Sequence, residues 1–331
     1  MGMMTWREMW AIVTGDNPDF LHFHPVLAAI SIYLLIMMLC YTLYQLSRLL
    51  PSTLRSYAFD FFTTLAVCSY PFGHAVMRQA YGGAGYMFGM VPLVVINIQL
   101  FSRGNGSPLG YWMDFLQGTT SLWTMLTHIP VQILAGIAAF SLGRYIYMLE
   151  FHDSFAPALF DERCYTDLKT TLATGFLVET LGVTWDSWLG EQTLSKVKFI
   201  DMLLKVINCS ILVNLGVGFT GMYMHPAMAS GLSFGCDGTE RWEHLMVYWA
   251  GPFLGCFLAL QLNKIVRIPD LSGFKGQPAR LSSPLENGSG KQNGIHKQNG
   301  LGKHNVYNGR MAKATAENSK KQVRRGKKRW Y

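Results

Sequence analysis

Inside membrane-grade apolar sequence, the stretch Gly218-Phe219-Thr220-Gly221-Met222-Tyr223-Met224-His225-Pro226-Ala227-Met228-Ala229-Ser230-Gly231 forces an abrupt helix start. Glycine lets the backbone turn sharply. Pro226 fits the first turn of a helix, where its missing N–H is not needed and its φ is already helical. The segment from Ala227 to Phe234 then makes about two turns at roughly 1.5 Å per residue, too short for a hydrocarbon core of roughly 30 Å. It predicts a half-helix. Such a break is tolerated at membrane depth only where protein buries the freed backbone or a water-filled cavity solvates it. A loop and short surface helix between two spans is the alternative, unless a second copy exists.

A second copy is present as Arg103-Gly104-Asn105-Gly106-Ser107-Pro108-Leu109-Gly110, followed by Tyr111 to Gln117. Pro108 and Pro226 are 118 residues apart, and Asp60 and Glu179 are 119 apart. Gln132-Ile133-Leu134-Ala135 and Pro252-Phe253-Leu254-Gly255 are 120 apart. The shared offset, more than any single pair, predicts an inverted repeat of the kind used by channels and transporters.

Half of the 331 residues are hydrophobic and 15% are charged, with the apolar ones in long blocks, which makes this a polytopic membrane protein. The spacing predicts spans over Val26–Leu46, Leu54–Val76, Ala84–Phe101, Leu122–Tyr147, Thr170–Trp188, Phe199–Gly218 and His244–Leu262. The first is read as an extra N-terminal membrane helix, with a signal anchor as the alternative. Three divisions follow: an N-terminal segment 1–53, a core 54–264 with repeats over about 54–148 and 169–264, and a tail 265–331.

The formal charge of +8 belongs to the tail. From Lys264 onward there are 16 Lys and Arg against 3 Asp and Glu, and the rest of the chain is net acidic. The tail is rich in Gly, Asn, Lys and Gln and cannot bury enough apolar surface to fold alone. At a membrane surface it is read as meeting anionic lipid or cytosolic protein rather than nucleic acid, although its composition alone admits both. Arg48, Arg55, Arg103, Lys196, Lys198, Lys205 and the tail fall on one side of the alternating spans. Glu150, Asp153, Asp161, Glu162, Asp167, Asp237, Glu240 and Glu243 fall on the other, with Arg78 as an exception. The positive-inside rule predicts a cytosolic tail. Asn287-Gly288-Ser289 is then an unused glycosylation sequon.

Of six cysteines, Cys40, Cys68, Cys209 and Cys256 lie in apolar spans, and Cys164 and Cys236 in connections. With no CxxC or metal-ligand spacing, a disulfide framework is not expected. No nucleophile–base pair or metal cluster appears, so neither an enzyme nor a cofactor is expected.

Thr220-Gly221-x-x-x-His225-Pro226-Ala227, followed by Tyr248-Trp249-Ala250-Gly251-Pro252-Phe253-Leu254-Gly255, resembles the aquaporin (major intrinsic protein) family. The altered first motif, Cys236 after the second half-helix and Val247-Tyr248-Trp249 at the last span are most similar to its divergent intracellular superaquaporin branch. The resemblance implies an all-α membrane bundle of six helices plus two half-helices meeting end to end, one pore per subunit and a homotetramer.

It also implies roles. The family's motif asparagines stand here as Ser107, ahead of Pro108 and Leu109, and as His225, ahead of Pro226 and Ala227. Ser107 retains capping capacity. His225 is larger and titratable, and can donate from a ring nitrogen, obstruct the pore or serve as a buried structural histidine. The constriction positions become Met228, Met222, Val213 and Met87, all apolar, which favours water or small neutral solutes such as glycerol or hydrogen peroxide over ions. Asp60 and Glu179 become buried acids that hold the half-helix loops. The expected function is a passive channel in an internal membrane. The alternative is a non-conducting scaffold or adhesion protein acting through its basic tail, and the terminal Lys327-Lys328-Arg329-Trp330-Tyr331 hints at retrieval to the endoplasmic reticulum.

Overall fold

The computed structural model describes residues 24–149 and 164–268. Readings that fall on residues 1–23, on Glu150, Asp153, Asp161 and Glu162, and on the tail from 269 lie outside the described residues. Among the described residues the chain is helical, with one isolated parallel bridge between Tyr165 and Asp237.

Proline and capping side chains set most of the helix starts. Pro25 opens α1 (Pro25–Leu46), and α2 (Ser52–Ser69) leads through Tyr70 into α3 (Pro71–Leu100). The first half-helix is α4 (Pro108–Leu116), and α5 (Leu122–Tyr147) is capped by Ser121, whose hydroxyl accepts from Thr124 N. Thr171 caps α6 (Leu172–Gly190) in the same way, and α7 (Lys198–Thr220) ends at Gly221 with φ +76°. The second half-helix is α8 (Pro226–Ser233). A short α9 (Arg241–Leu245) runs through a π turn, Met246–Ala250, into α10 (Gly251–Ile265).

Among the described residues, five helical runs are long and apolar enough to cross a membrane: Pro25–Leu49, Ser52–Leu100, Leu122–Tyr147, Lys198–Thr220 and Arg241–Ile265. The apolar blocks of the sequence predict seven, and the difference has two sources. Ser52–Leu100 is one run of 49 residues by length and composition. It is broken at Gly82 (φ +63°, ψ −152°), a conformation closed to other residues. Asn214 Nδ2 of α7 donates to Gly83 O beside the break at 2.9 Å. The helix α6 is absent from the five because Glu179, Asp186 and its threonines dilute its apolar character.

The packing follows the repeat. α2 lies on α5 and α6 lies on α10, while α3 meets α7 across the two halves. Each half-helix also crosses over, α8 docking on α5 and α4 touching α10. The extra helix α1 buries Ala28, Ala29, Ile32, Tyr33, Ile36, Cys40 and Tyr44, mostly at three- and four-residue spacing, against α2 and α3. Tyr33 OH lies 2.6 Å from His74 Nδ1, and Tyr44 OH accepts from Arg103 N at 2.8 Å. Between lipid-exposed helices this close packing and hydrogen bonding, not burial from water, holds neighbours together.

One expectation is overturned. Cys164 and Cys236 form a disulfide across 72 residues, with their Cα atoms 4.9 Å apart. The two connections meet because their backbones pair: Thr166 N donates to Asp237 O, and Asp237 N donates to Cys164 O, each at 2.9 Å. Spacing along the chain carries no trace of that meeting. The other four cysteines are free.

Candidate functional site

The site is the place where the two Pro-headed half-helices approach each other. Ser107 is the N-cap of α4 and its Oγ accepts from Leu109 N at 3.3 Å. His225 is the N-cap of α8, and its Nδ1 accepts from Met228 N at 3.1 Å. A neutral imidazole that accepts at Nδ1 carries its proton on Nε2. That nitrogen donates to Gly106 O at 2.6 Å. One side chain therefore caps the second half-helix and fastens it to the residue before the first. Ser107, Pro108, Leu109, His225, Pro226 and Ala227 accordingly lie at one junction.

Each junction loop is held by a buried acid. Glu179, fully buried in α6, accepts from Thr220 OH at 2.7 Å, Tyr223 N at 3.1 Å and Met224 N at 2.9 Å. The loop pays for this aim in backbone strain, since Met222 (φ +45°) and Met224 (φ +47°) are left-handed without being glycine. Asp60 of α2 accepts from Asn105 N at 2.7 Å through Oδ1. Asn105 is fixed further by Gln132 Nε2, which donates to its carbonyl at 2.8 Å.

Residues outside the candidate set brace the half-helices from α10 and its π turn. Trp249 Nε1 donates to Ser230 Oγ at 2.9 Å, and Tyr248 OH donates to Thr220 O at 2.7 Å. Trp112 of α4 donates from Nε1 to Phe253 O at 2.9 Å and stacks on the Phe253 ring, with centroids 5.1 Å apart. Tyr248, Trp249 and Phe253 sit in the segment that carries the family resemblance, so the signal was present in the sequence. Its physical meaning appears only in the packing. Trp112 has no such signal.

The four constriction candidates are not gathered in one cluster. Val213 and Met222 are buried together with Val183, Met224 and Cys256, and Leu109, Trp112 and Met113 of the first half-helix pack against them. Met222 fills the space beside Gly182 and Gly216. Met228 packs instead against the first-half core, and Met87 is half-buried outside both clusters.

The connection from Cys164 clamps the loop before the second half-helix. Lys169 N donates to Phe219 O at 2.8 Å, and Tyr223 OH donates to Asp167 Oδ2. Together with the Cys164–Cys236 bond, this ties the connection to the chain before and after α8.

No family model matches the chain. Among curated proteins it is 21% identical to aquaporin-11 of Milnesium tardigradum over 247 residues, covering 73% of this chain and 88% of that protein. It is 27% identical to the putative aquaporin-12B of Homo sapiens over 188 residues, 54% of this chain and 62% of the relative, and so spans less than two thirds of that protein. It is 26% identical to aquaporin SIP1-1 of Zea mays over 202 residues, 56% of this chain and 79% of the relative. With its all-helical membrane bundle and paired half-helices, the chain resembles the aquaporin family in its divergent superaquaporin branch.

Proposed function

We propose that the chain is a passive membrane channel for water or small neutral solutes such as glycerol and hydrogen peroxide, with the half-helix junction as its narrowest part. The observation that carries this reading is the 2.6 Å contact between His225 Nε2 and Gly106 O. It brings the N-terminal ends of α4 and α8, each with a positive dipole end, to one point inside a membrane bundle. Such a point repels cations, and the apolar cluster of Val213 and Met222, against which Leu109 of the first half-helix packs, provides no fixed charge to compensate. Met228 occupies the position of the family's arginine. Asp60 and Glu179 keep the loops in place.

A second reading is favoured by the same histidine. Both ring nitrogens are engaged within the protein, so neither is offered to a passing solute. A junction fastened in this way fits a resting closed state, or a scaffold protein that acts through its basic tail.

The disulfide supports a side. Such bonds persist in oxidising compartments, which fits connections 150–169 and 236–243 in a lumen and the tail in the cytosol. A repeat pair over about 54–148 and 169–264, a homotetramer, an endoplasmic reticulum membrane and tail contacts with anionic lipid or cytosolic protein complete the proposal. Stopped-flow shrinkage and solute uptake in proteoliposomes test it, with Met228→Arg as the comparison. Uptake above empty liposomes, with glycerol flux reduced in Met228→Arg, is the expected result. Permeability equal to empty liposomes for every solute would remove the channel reading and leave the scaffold.

A further inference from the structure

We infer that His128 and Tyr111 are positioning residues for the first half-helix, completing an anchor that Asp60 is too short to make alone; the inference rests on the reading of the half-helix junction as the working site. The two halves solve one problem with different acids. Glu179 reaches two loop amides and the Thr220 hydroxyl. Asp60, one methylene shorter, takes a single loop amide, Asn105 N, on Oδ1. Its other oxygen accepts from Tyr111 OH at 2.5 Å and stands 2.5 Å from His128 Nδ1. A carboxylate only accepts, so the imidazole donates to it. Tyr111 O and His128 Nδ1 lie 2.8 Å apart, which closes the trio.

The three side chains come from three elements, Asp60 from α2, Tyr111 from the half-helix α4 itself and His128 from α5. The acid thus grips the half-helix as well as the loop before it. Tyr57 stacks on the His128 ring with centroids 4.2 Å apart and the planes 27° from parallel, and Tyr57 OH donates to Thr127 Oγ1 at 3.2 Å. That stacking, with the bond to Asp60, leaves the imidazole little freedom to turn away. Asp60 and His128 are 2% and 6% exposed, and an ionisable pair at this depth is costly unless it is used.

The repeat supports the assignment independently. At the offset of 120 shared by Gln132 and Pro252, His128 corresponds to Tyr248. Tyr248 also reaches inward from its span, to the end of α7 where the loop of its own half begins, donating to Thr220 O at 2.7 Å. At the offset of 118 shared by the prolines, Tyr111 corresponds to Ala229, which has no polar group to offer. The second half does not need one, because Glu179 already holds both loop amides.

The test is hydrogen–deuterium exchange with mass spectrometry on the full chain in lipid nanodiscs. It compares wild type with His128→Leu, His128→Gln and Tyr111→Phe, and follows peptides over 101–109 and 219–226. Exchange in the first loop should rise about ten-fold or more in His128→Leu and Tyr111→Phe, and stay near wild type in His128→Gln, which keeps an N–H donor. Exchange in the second loop should not move in any variant. First-loop exchange within about two-fold of wild type in both His128→Leu and Tyr111→Phe would overturn the inference. So would equal acceleration of both loops, which marks general loosening, or a Gln variant as fast as the Leu one. Should His128→Leu fail to fold, Tyr111→Phe and His128→Gln carry the comparison. Exchange is read without any solute crossing, so failure of the channel reading and failure of this inference remain separate results.

Discussion

Gly231 in the second half-helix lies against Gly136 of α5 so closely that a β-carbon on Gly231 would stand 1.9 Å from the Gly136 carbonyl oxygen. The reverse is nearly as tight, since a β-carbon on Gly136 would meet Ala227 O at 2.1 Å. Both obstacles are backbone, which cannot swing aside. Gly136→Ala and Gly231→Ala should therefore each displace α8 and destabilise the fold by about 2 kcal/mol or more, in the range of overpacked cores. Gly190→Ala, where nothing lies within 4 Å, is the control and should be near neutral. Thermal unfolding of detergent-purified protein separates them. Equal melting temperatures for Gly136→Ala and Gly190→Ala would show that the half-helix does not dock there.

The Cys164–Cys236 bond closes a 72-residue separation, for which chain-entropy reasoning gives an upper value of about 4 kcal/mol. α6, α7 and α8 lie between the two cysteines and are already packed against α10, α3 and α5, so a loss of about 1–3 kcal/mol is expected on reduction. Cys164→Ser, Cys236→Ser and the double variant should lose the same amount, because one bond is removed in each. Non-reducing peptide mapping identifies the bond, and melting with and without reductant measures its effect. Additive losses in the double variant would mean that the two thiols act separately.

How much of this was legible in the sequence depends on what kind of signal each residue leaves. Pro108 and Pro226 are local signals, because proline announces a helix start by its own chemistry, and both half-helices begin where it stands. Asp60 and Glu179 were conspicuous as charges in apolar sequence. Gly82 lay in the gap between two expected spans, although its role as the break in a continuous run required φ and ψ. The disulfide and the trio around Asp60 were not legible, for they depend on connections and spans that meet only after the halves interlock. His128 is one of several polar residues in a mostly apolar helix, indistinguishable in sequence from a satisfied core histidine. Met87 and Met228 lie apart from Val213 and Met222 for a related reason, since counting from a motif fixes position along a helix more tightly than the direction a long flexible methionine side chain takes.

Glu179 accepts from three donors at the second loop, and its removal should be costly. In Glu179→Gln one acceptor oxygen becomes a donor amide facing N–H or O–H groups, leaving at least one buried donor unpaired at about 1–3 kcal/mol. Glu179→Asp retains the charge but withdraws it by a methylene, so it should hold one loop amide and lose the other. The expected order of melting temperatures is wild type, then Asp, then Gln. A Gln variant as stable as wild type would mean that the loop is held by Thr220 and Tyr248 instead.

His225 allows stability and flux to be moved in opposite directions. Asn at this position keeps the cap, since its side-chain oxygen can accept from Met228 N, but is too short to reach Gly106 O as the imidazole does. His225→Asn should therefore lose about 1 kcal/mol for the broken bond between the halves. His225→Leu removes the cap as well and should lose about 1 kcal/mol more. The amide N–H groups of the Asn variant are free to donate to a solute, and the junction is wider by most of a ring. Water flux in proteoliposomes at matched protein density should rise in His225→Asn above wild type while the melting temperature falls. A variant with lower flux and lower stability together would show that the imidazole is needed for an open junction, and that the bond to Gly106 holds the passage in shape instead of holding it shut.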